Sequence, residues 1–239
     1  MNHDISKLNN KIILAVSAHP DDVEFSCGGT LLKLHEKGFS IFMVVATNGE
    51  NGFKIDHRSR SERIKTRRLE QAKAAEFLGA KRVFFLNNRD GFLKYTDQLR
   101  AELVRIIRLV KPEIIFSFDP SNKLYESINL HHRDHRVIAE VVFDAVFSAR
   151  NRYMYRGKPH SVKYFYFFGC DRPNYYENIT PYISKKIQLI SFHRSQYYDK
   201  DSMSQWVKSY LSRHTPEYKY SEKFRIVKIS QPFISDDQG

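Results

Sequence analysis

The sequence predicts an α/β protein in which a mostly parallel sheet carries helices on both faces. Two observations point there. Short apolar runs alternate with longer amphipathic stretches through the first two thirds of the chain, the pattern of strands joined by helical crossovers. Polar residues (His19, Asn48, Asp90 and Asp119) each fall just after a strand-like run, and ligands of such sheets collect at the carboxyl ends of the strands.

The elements follow in order. Lys11–Ala18 is a buried-strand pattern, Gly28–Lys37 helical, and Ser40–Ala46 a strand. Ser61–Leu78 reads as a long helix stopped by Gly79. Val83–Leu86 is a strand, and Thr96–Val110 a helix with Thr96 as its cap. After Pro112, Glu113–Phe118 is a strand, and Asp134–Ala149 a helix with Val137, Val141 and Ala145 at four-residue spacing. The last third is less regular. It holds a strand at Ser161–Phe168, helices at Tyr182–Phe192 and Ser202–Ser212, and a final strand at Phe224–Ile229. No repeat or linker interrupts the chain, so one domain over 1–239 is expected.

Composition narrows the function classes. No apolar run approaches the roughly 18 residues of a membrane-spanning helix, and the first ten residues lack a secretory signal pattern. Two cysteines, Cys27 and Cys170, make no disulfide framework, so a cytoplasmic protein is the simplest expectation. The formal charge of +12 can attract nucleic acid, anionic membranes or acidic substrates. No nucleic-acid-binding motif accompanies it, so no specific nucleic-acid partner is expected. The aromatic residues lie mostly in strand-like runs such as Tyr164–Phe168, where they belong to a core.

Chemistry concentrates in two clusters. The first is Ala18-His19-Pro20-Asp21-Asp22 at the end of the first strand; the second is His131-His132-Arg133-Asp134-His135, over a hundred residues later. His19 and Asp22 are three apart on a turn and can bend toward one point. His135 is a natural third ligand for a catalytic zinc, which takes three protein ligands and leaves a position for water. Adjacent side chains in an extended segment diverge, so Asp21 is left to act as a base toward a water that zinc makes acidic. His132 and His135 share a face if their turn is helical. One can then bind metal while the other, His132, stabilises an oxyanion or protonates a leaving amine. Each cluster alone has a plainer reading, a turn or a helix cap; their joint position at the ligand edge favours a site. Gly28-Gly29 fits a close backbone approach or a tight strand-to-helix turn, and its spacing is neither a dinucleotide fingerprint nor a P-loop. Cys27, near the expected helix start, is either a depressed-pKa thiol or, more simply, a small packed residue. His3, His35, His57, His160 and His214 are isolated and read as surface or structural.

At these residues the chain resembles the PIG-L/LmbE-like family of zinc-dependent N-acetylglucosaminyl deacetylases. Ala18 to Thr30 matches A-H-P-D-D-x-E-x-x-x-G-G-T, and Thr47-Asn48-Gly49-Glu50 matches T-x-G-E. Arg67, Glu70, Ala74, Leu78 and Gly79 match a family helix, and His132-Arg133-Asp134-His135 matches H-x-D-H with Arg133 where proline is common. Lys186, Leu189, His193, Ser195 and Gln196 match a later helix, and Tyr220–Phe224 a late E-x-F strand. The resemblance implies a Rossmann-like fold, one zinc ion per chain at His19, Asp22 and His135, Asp21 as general base and His132 as oxyanion stabiliser or acid. It implies Arg67 and Asp90 as substrate contacts and Asp134 beside the metal ligands. The expected activity is hydrolysis of an N-acetyl group on an amino sugar or its conjugate, and self-association into a homo-oligomer is left open. A basic nucleic-acid-binding protein with a structural metal, or a metal-dependent phosphoesterase, are the alternatives.

Overall fold

A computed structural model describes residues 8–53, 57–122 and 131–229. Its centre is two strands with no exposed face. β1 (Ile12–Ser17) is buried from Ile13 onward, and β4 (Ile114–Phe118) along its whole length. Strands covered on both faces read as continuous apolar runs, which is why both were legible as patterns. β1 pairs in parallel with β4 on one side and with β2 (Ser40–Thr47) on the other. β3 (Arg82–Asn88) continues beyond β2, and β5 (Tyr164–Phe168) beyond β4, all parallel. β7 (Ser221–Lys228) then adds antiparallel to β5, and β6 (Tyr175–Asn178) antiparallel to β7. The order is β3-β2-β1-β4-β5-β7-β6.

This order fixes where the helices go. The chain runs outward from β1 to β3 through α1 (Asp22–Glu36) and α2 (Arg60–Leu78). It then crosses back through α3 (Asp97–Val110) to β4 and moves the other way through α4 (Arg133–Arg150). Crossovers between parallel strands are right-handed, so reversing direction puts α3 and α4 on the opposite face from α1 and α2. The contacts agree: α3 packs on α4, whereas α1 packs on α2 and α5 (Ile183–Ile190). The reversal lies between β1 and β4, and their carboxyl ends open the crevice such sheets use for ligands.

Local signals account for the helix ends. Ser59 and Glu62 form a capping box at the start of α2, and Gly79 ends it in a left-handed conformation. Thr96 caps α3 by accepting from the Leu99 N–H at 3.1 Å. The helix expected from Gly28 instead begins at Asp22. Gly28-Gly29 is therefore mid-helix rather than a strand-to-helix turn. The close-approach reading of the pair holds, because a Cβ on Gly28 would come within 2.8 Å of Leu189 and one on Gly29 within 2.9 Å of Ile179. Cys27, one residue earlier in α1, is fully buried, and burial pushes its thiol well above the usual range; this removes the reactive-thiol reading. β6, a half-buried edge strand of four residues, was not anticipated.

The irregular last third is tied in by polar chemistry. Lys186 on α5 and Glu222 on β7, both fully buried, form an ion pair at 2.5 Å. Lys186 also donates to the carbonyls of Glu24 and Phe25. Glu222 accepts from the Gly29 and Thr30 amides and the Thr30 hydroxyl. The two late family motifs thus meet on α1. α6 (Lys200–Leu211) closes a smaller core, packing Met203, Val207 and Leu211 against Ile179, Ile187 and Ile190. Among the described residues no helix is long and apolar enough to cross a membrane. His3 lies outside the described residues.

Candidate active site

The turn leaving β1 is folded by Asp22, the first residue of α1. Its Oδ2 accepts from the backbone N–H groups of Ala18 (3.1 Å) and His19 (2.7 Å). Oδ1 is left facing His135 Nε2 at 3.2 Å. Asp21 occupies the N-cap position with φ 104° and ψ −26°, and its side chain makes no capping hydrogen bond. An ordinary Asp N-cap sits in the extended region and binds the first-turn amides. The left-handed turn frees this carboxylate from that task, at a cost of about 1–3 kcal/mol. Two α2 side chains one turn apart brace it. Arg67 donates to the Pro20 carbonyl and to Asp21 Oδ2, the latter at 3.3 Å, and Gln71 Oε1 accepts the Asp21 N–H at 3.2 Å.

Three donors converge above this turn. His19 Nδ1 lies 3.1 Å from His135 Nε2 and 3.5 Å from Asp22 Oδ2. His135 in turn lies 3.2 Å from the other oxygen of that carboxylate, Asp22 Oδ1. Zinc bonds of about 2.0–2.2 Å to nitrogen and oxygen place tetrahedral ligands about 3.3–3.5 Å apart, so the three side chains, each imidazole facing a different oxygen of Asp22, are close enough to share such an ion. Phe118, at the end of β4, stacks on the His135 ring at 4.0 Å between centroids and fixes its plane.

The other face of His19 is held by carboxylates. Its Nε2 is 3.1 Å from Asp90 Oδ1 and 3.3 Å from Asp134 Oδ2. Asp134 is itself fixed by the Gly91 and Leu93 amides, and Asp90 by the Asn51 amide. A proton on Nε2 shared with these acceptors leaves Nδ1 with its lone pair, the arrangement that orients and strengthens a metal-binding imidazole.

His132 is built differently. It is the N-cap of α4, and its Nδ1 accepts the Asp134 N–H at 3.2 Å. A neutral ring used that way carries its proton on Nε2 and presents a donor rather than a lone pair. Donor atoms of His19, His132 and His135 lie within 4.8 Å of one another, and so do those of His19, Asp90, His132 and Asp134. The described residues therefore hold a His/Asp site able to take a metal ion, with His19 and His132 common to both groups and Asp22 beside them.

The electrostatics divide the two adjacent aspartates. Burial pushes the Asp21 carboxyl up, opposed by Arg67 and reinforced by Asp22. Burial acts on Asp22 too, but His135 and His19 outweigh it and hold that carboxyl well below the usual range. One carboxylate is thus kept as an anion toward the imidazoles while its neighbour is a stronger base. For His132, burial and the nearby His19 and His135 lower the pKa and favour the neutral ring. The cationic form anticipated for an acid role is disfavoured accordingly.

His19, Asp21, Asp22, His132, Asp134 and His135 all gather at this one edge. Arg67 and Asp90, expected as substrate contacts, lie beside these groups. Arg67 is only 2% exposed; its Nη2 donates to the turn around Asp21, while its Nε and Nη1 find no hydrogen-bond partner among the described residues. Asp90 is 5% exposed, with its oxygens engaged by His19 and Asn51. Asp119, just after β4, is instead paired with Arg225 at 2.6 Å. Three contributors escaped the sequence reading. Phe118 had no signal beyond apolarity. Glu24 stood inside the first motif without an assigned role. Gln71 follows Arg67 by four residues, the one hint that both face the same turn.

A His/Asp site able to take a metal ion, at the carboxyl ends of β1 and β4 where the strand order reverses and with the Asp21 carboxylate beside it, fits a hydrolytic enzyme of the Rossmann-like class. The profile of the PIG-L family, described as GlcNAc-PI de-N-acetylase, matches residues 14–146, and the chain belongs to that family. It is 32% identical to the diacetylchitobiose deacetylase of Thermococcus kodakarensis, over 81% of this chain and 76% of that protein. It is 26% identical to a 1D-myo-inositol 2-acetamido-2-deoxy-alpha-D-glucopyranoside deacetylase of Rhodococcus jostii, over 66% and 61% of the two chains. Among solved structures it superposes on the N,N'-diacetylchitobiose deacetylase from Pyrococcus horikoshii with a TM-score of 0.84 and 28% identity, covering 91% of this chain and 84% of that one. The chain is accordingly an N-acetyl sugar deacetylase, which displaces the nucleic-acid and phosphoesterase alternatives.

Proposed function

We propose that the chain removes the N-acetyl group from a glucosamine unit of a short β-linked oligosaccharide, N,N'-diacetylchitobiose being the first substrate to test. The carrying observation is the convergence of His19, Asp22 and His135 beside the Asp21 carboxylate, which Arg67 holds by one oxygen. His19 Nδ1, His135 Nε2 and Asp22 would hold one zinc ion per chain. When bound, such an ion supplies a Lewis acid that polarises the amide carbonyl and makes a water acidic near neutral pH.

Asp21 takes the proton of the attacking water on the oxygen left free by the left-handed turn. The raised pKa of its carboxyl suits both halves of the reaction, because the same proton can then pass to the departing amine. His132 donates through Nε2–H to the oxyanion that develops as water adds. Asp134 and Asp90 keep the His19 proton on Nε2, so Nδ1 stays an acceptor. Arg67 holds Asp21 close while remaining buried. The proton balance closes: water gives one proton to Asp21, Asp21 gives it to the amine as the C–N bond breaks, and the other stays on the acetic acid that leaves.

The test is incubation of zinc-loaded protein with N,N'-diacetylchitobiose, N-acetylglucosamine and an N-acetylglucosaminyl inositol. Loss of one acetyl group is read by mass spectrometry, beside acetate release. Turnover of the disaccharide that stops with a chelator and returns with zinc supports the reading. Turnover of the inositol conjugate alone would reject the disaccharide as substrate class.

A further inference from the structure

The left-handed turn at Asp21 is braced by a buried relay that the reaction as described does not use. Gln71 is 1% exposed and Glu24 fully buried. Gln71 accepts the Asp21 N–H through Oε1 at 3.2 Å and donates through Nε2 to Glu24 Oε1 at 2.6 Å. Behind Glu24, its second oxygen lies 3.5 Å from Nε2 of fully buried His193. Elements distant in sequence, the start of α1, the middle of α2 and the segment after α5, therefore meet on one backbone amide.

The amide's donor role explains why a glutamine serves here. Asp21 N–H belongs to the first residues of a helix, whose amides have no intrahelical acceptor. A side-chain carbonyl must supply one if the group is buried. Glutamine also carries an amide nitrogen, so it can present its oxygen to Asp21 only while its nitrogen has an acceptor, and Glu24 is that acceptor. The Glu24 contact thus fixes which way the Gln71 amide faces. Its orientation in turn fixes the backbone angle on which the Asp21 carboxylate is aimed.

We propose that Gln71, oriented by Glu24, is a positioning residue that holds Asp21 in its left-handed conformation and so aims the base. The inference rests on Asp21 acting as that base. It adds that the aim is set from α2 through the backbone, rather than by Arg67 alone. Partners that orient reacting groups from behind typically contribute 10–100-fold in activity, and this is the range expected.

Gln71→Leu removes the acceptor, whereas the exchanged pair Gln71→Glu with Glu24→Gln keeps an oxygen for the Asp21 amide and an amide–carboxylate contact behind it. Rates are normalised to folded, zinc-loaded protein, using thermal melts and metal content. Gln71→Leu should lower kcat about 10–100-fold with KM and zinc content unchanged, and the exchanged pair should recover part of that loss. If Gln71→Leu does not fold, the comparison rests on the exchanged pair, which should lower kcat less steeply and again leave KM alone. The decisive arm places the same substitution in an Asp21→Asn background. A residue acting through the base costs nothing further there, whereas a merely structural residue lowers the residual rate again. Wild-type kcat in both Gln71 variants, or full additivity with Asp21→Asn, overturns the inference while leaving Asp21 as base intact. Wild-type turnover in Asp21→Asn alone instead overturns the base assignment, and this inference with it.

Discussion

His19 Nδ1 and His135 Nε2 face each other at 3.1 Å although 116 residues separate them in the chain. Two imidazole nitrogens that close can share a cation, either a proton or a metal ion. Asp134 and Asp90 already claim the other His19 nitrogen, so the proposed ion would bind at Nδ1. Asp22, reaching both rings, would supply the negative charge that a divalent ion needs there.

His135→Ala removes one of those three side chains and opens a gap against Phe118. Zinc content measured by atomic emission should fall from one per chain to near zero. An alanine variant with full zinc occupancy would show that His135 is not a ligand.

Asp21→Asn keeps the shape of the side chain but cannot accept a proton. Loss of a general base typically costs about 10² to 10⁴ in rate. The variant should keep its zinc and lose kcat by that factor. The substitution also takes the negative charge from beside buried Arg67, so kcat is normalised to folded, zinc-loaded protein. A variant equal to wild type in kcat would place the base elsewhere.

Much of this site was legible because its residue types are scarce and their spacing is mechanical. His19 and Asp22 are joined by one turn, and His132 and His135 by another, so each pair could be read before any tertiary contact was known. What brought the two turns together was the order of strands, and alternating patterns suggested only that both lie at strand ends. The burial of Arg67 and Asp90 was not legible for a physical reason: the sequence says that a charge is near a site, not how deep it sits. Gly28-Gly29 misled on the helix start because glycine's low helix propensity was outweighed by contact with Leu189 and Ile179. Gln71 had no signal of its own, since a buried glutamine is defined by its partners.

The metal-free site should reveal itself in the pH dependence of stability. Burial lowers the His19 pKa, but Asp22, Asp134 and Asp90 outweigh it and hold the ring well above its ordinary 6.5. A group raised in the folded state contributes stability that is fully present below its unfolded value and is lost as pH rises through the folded one. Thermal melts in excess chelator should therefore show Tm falling as pH is raised above 6.5. With saturating zinc the trend should reverse over the same interval, because the ion competes with that proton. A chelated protein whose Tm is flat from neutral to alkaline pH contradicts the electrostatic reading of His19.

The Lys186–Glu222 pair should be a stability determinant remote from the chemistry. Removing one partner of a buried ion pair costs about 3–5 kcal/mol, because the other charge stays buried. Lys186→Met should lower the denaturant midpoint accordingly, and Lys186→Met with Glu222→Gln should recover part of the loss. A single variant within about 1 kcal/mol of wild type, well short of that cost, would mean that the Gly29 and Thr30 donors alone satisfy Glu222.

His132 should separate from the metal ligands by experiment. Its Nδ1 is occupied by the Asp134 amide, so a neutral ring offers Nε2–H to the cleft, and burial with the neighbouring imidazoles favours that neutral form. A donor aimed at a developing oxyanion typically contributes about 10² to 10³ in kcat. His132→Ala should therefore retain zinc, lose most of kcat and change KM less. His132→Gln, which restores a donor of similar reach, should recover part of the rate. The comparison with His135→Ala decides between roles. If His132→Ala sheds zinc as completely, then His19, His132 and His135 form the ligand set and Asp22 is released from it. If zinc and kcat both survive, His132 serves α4 only as its cap.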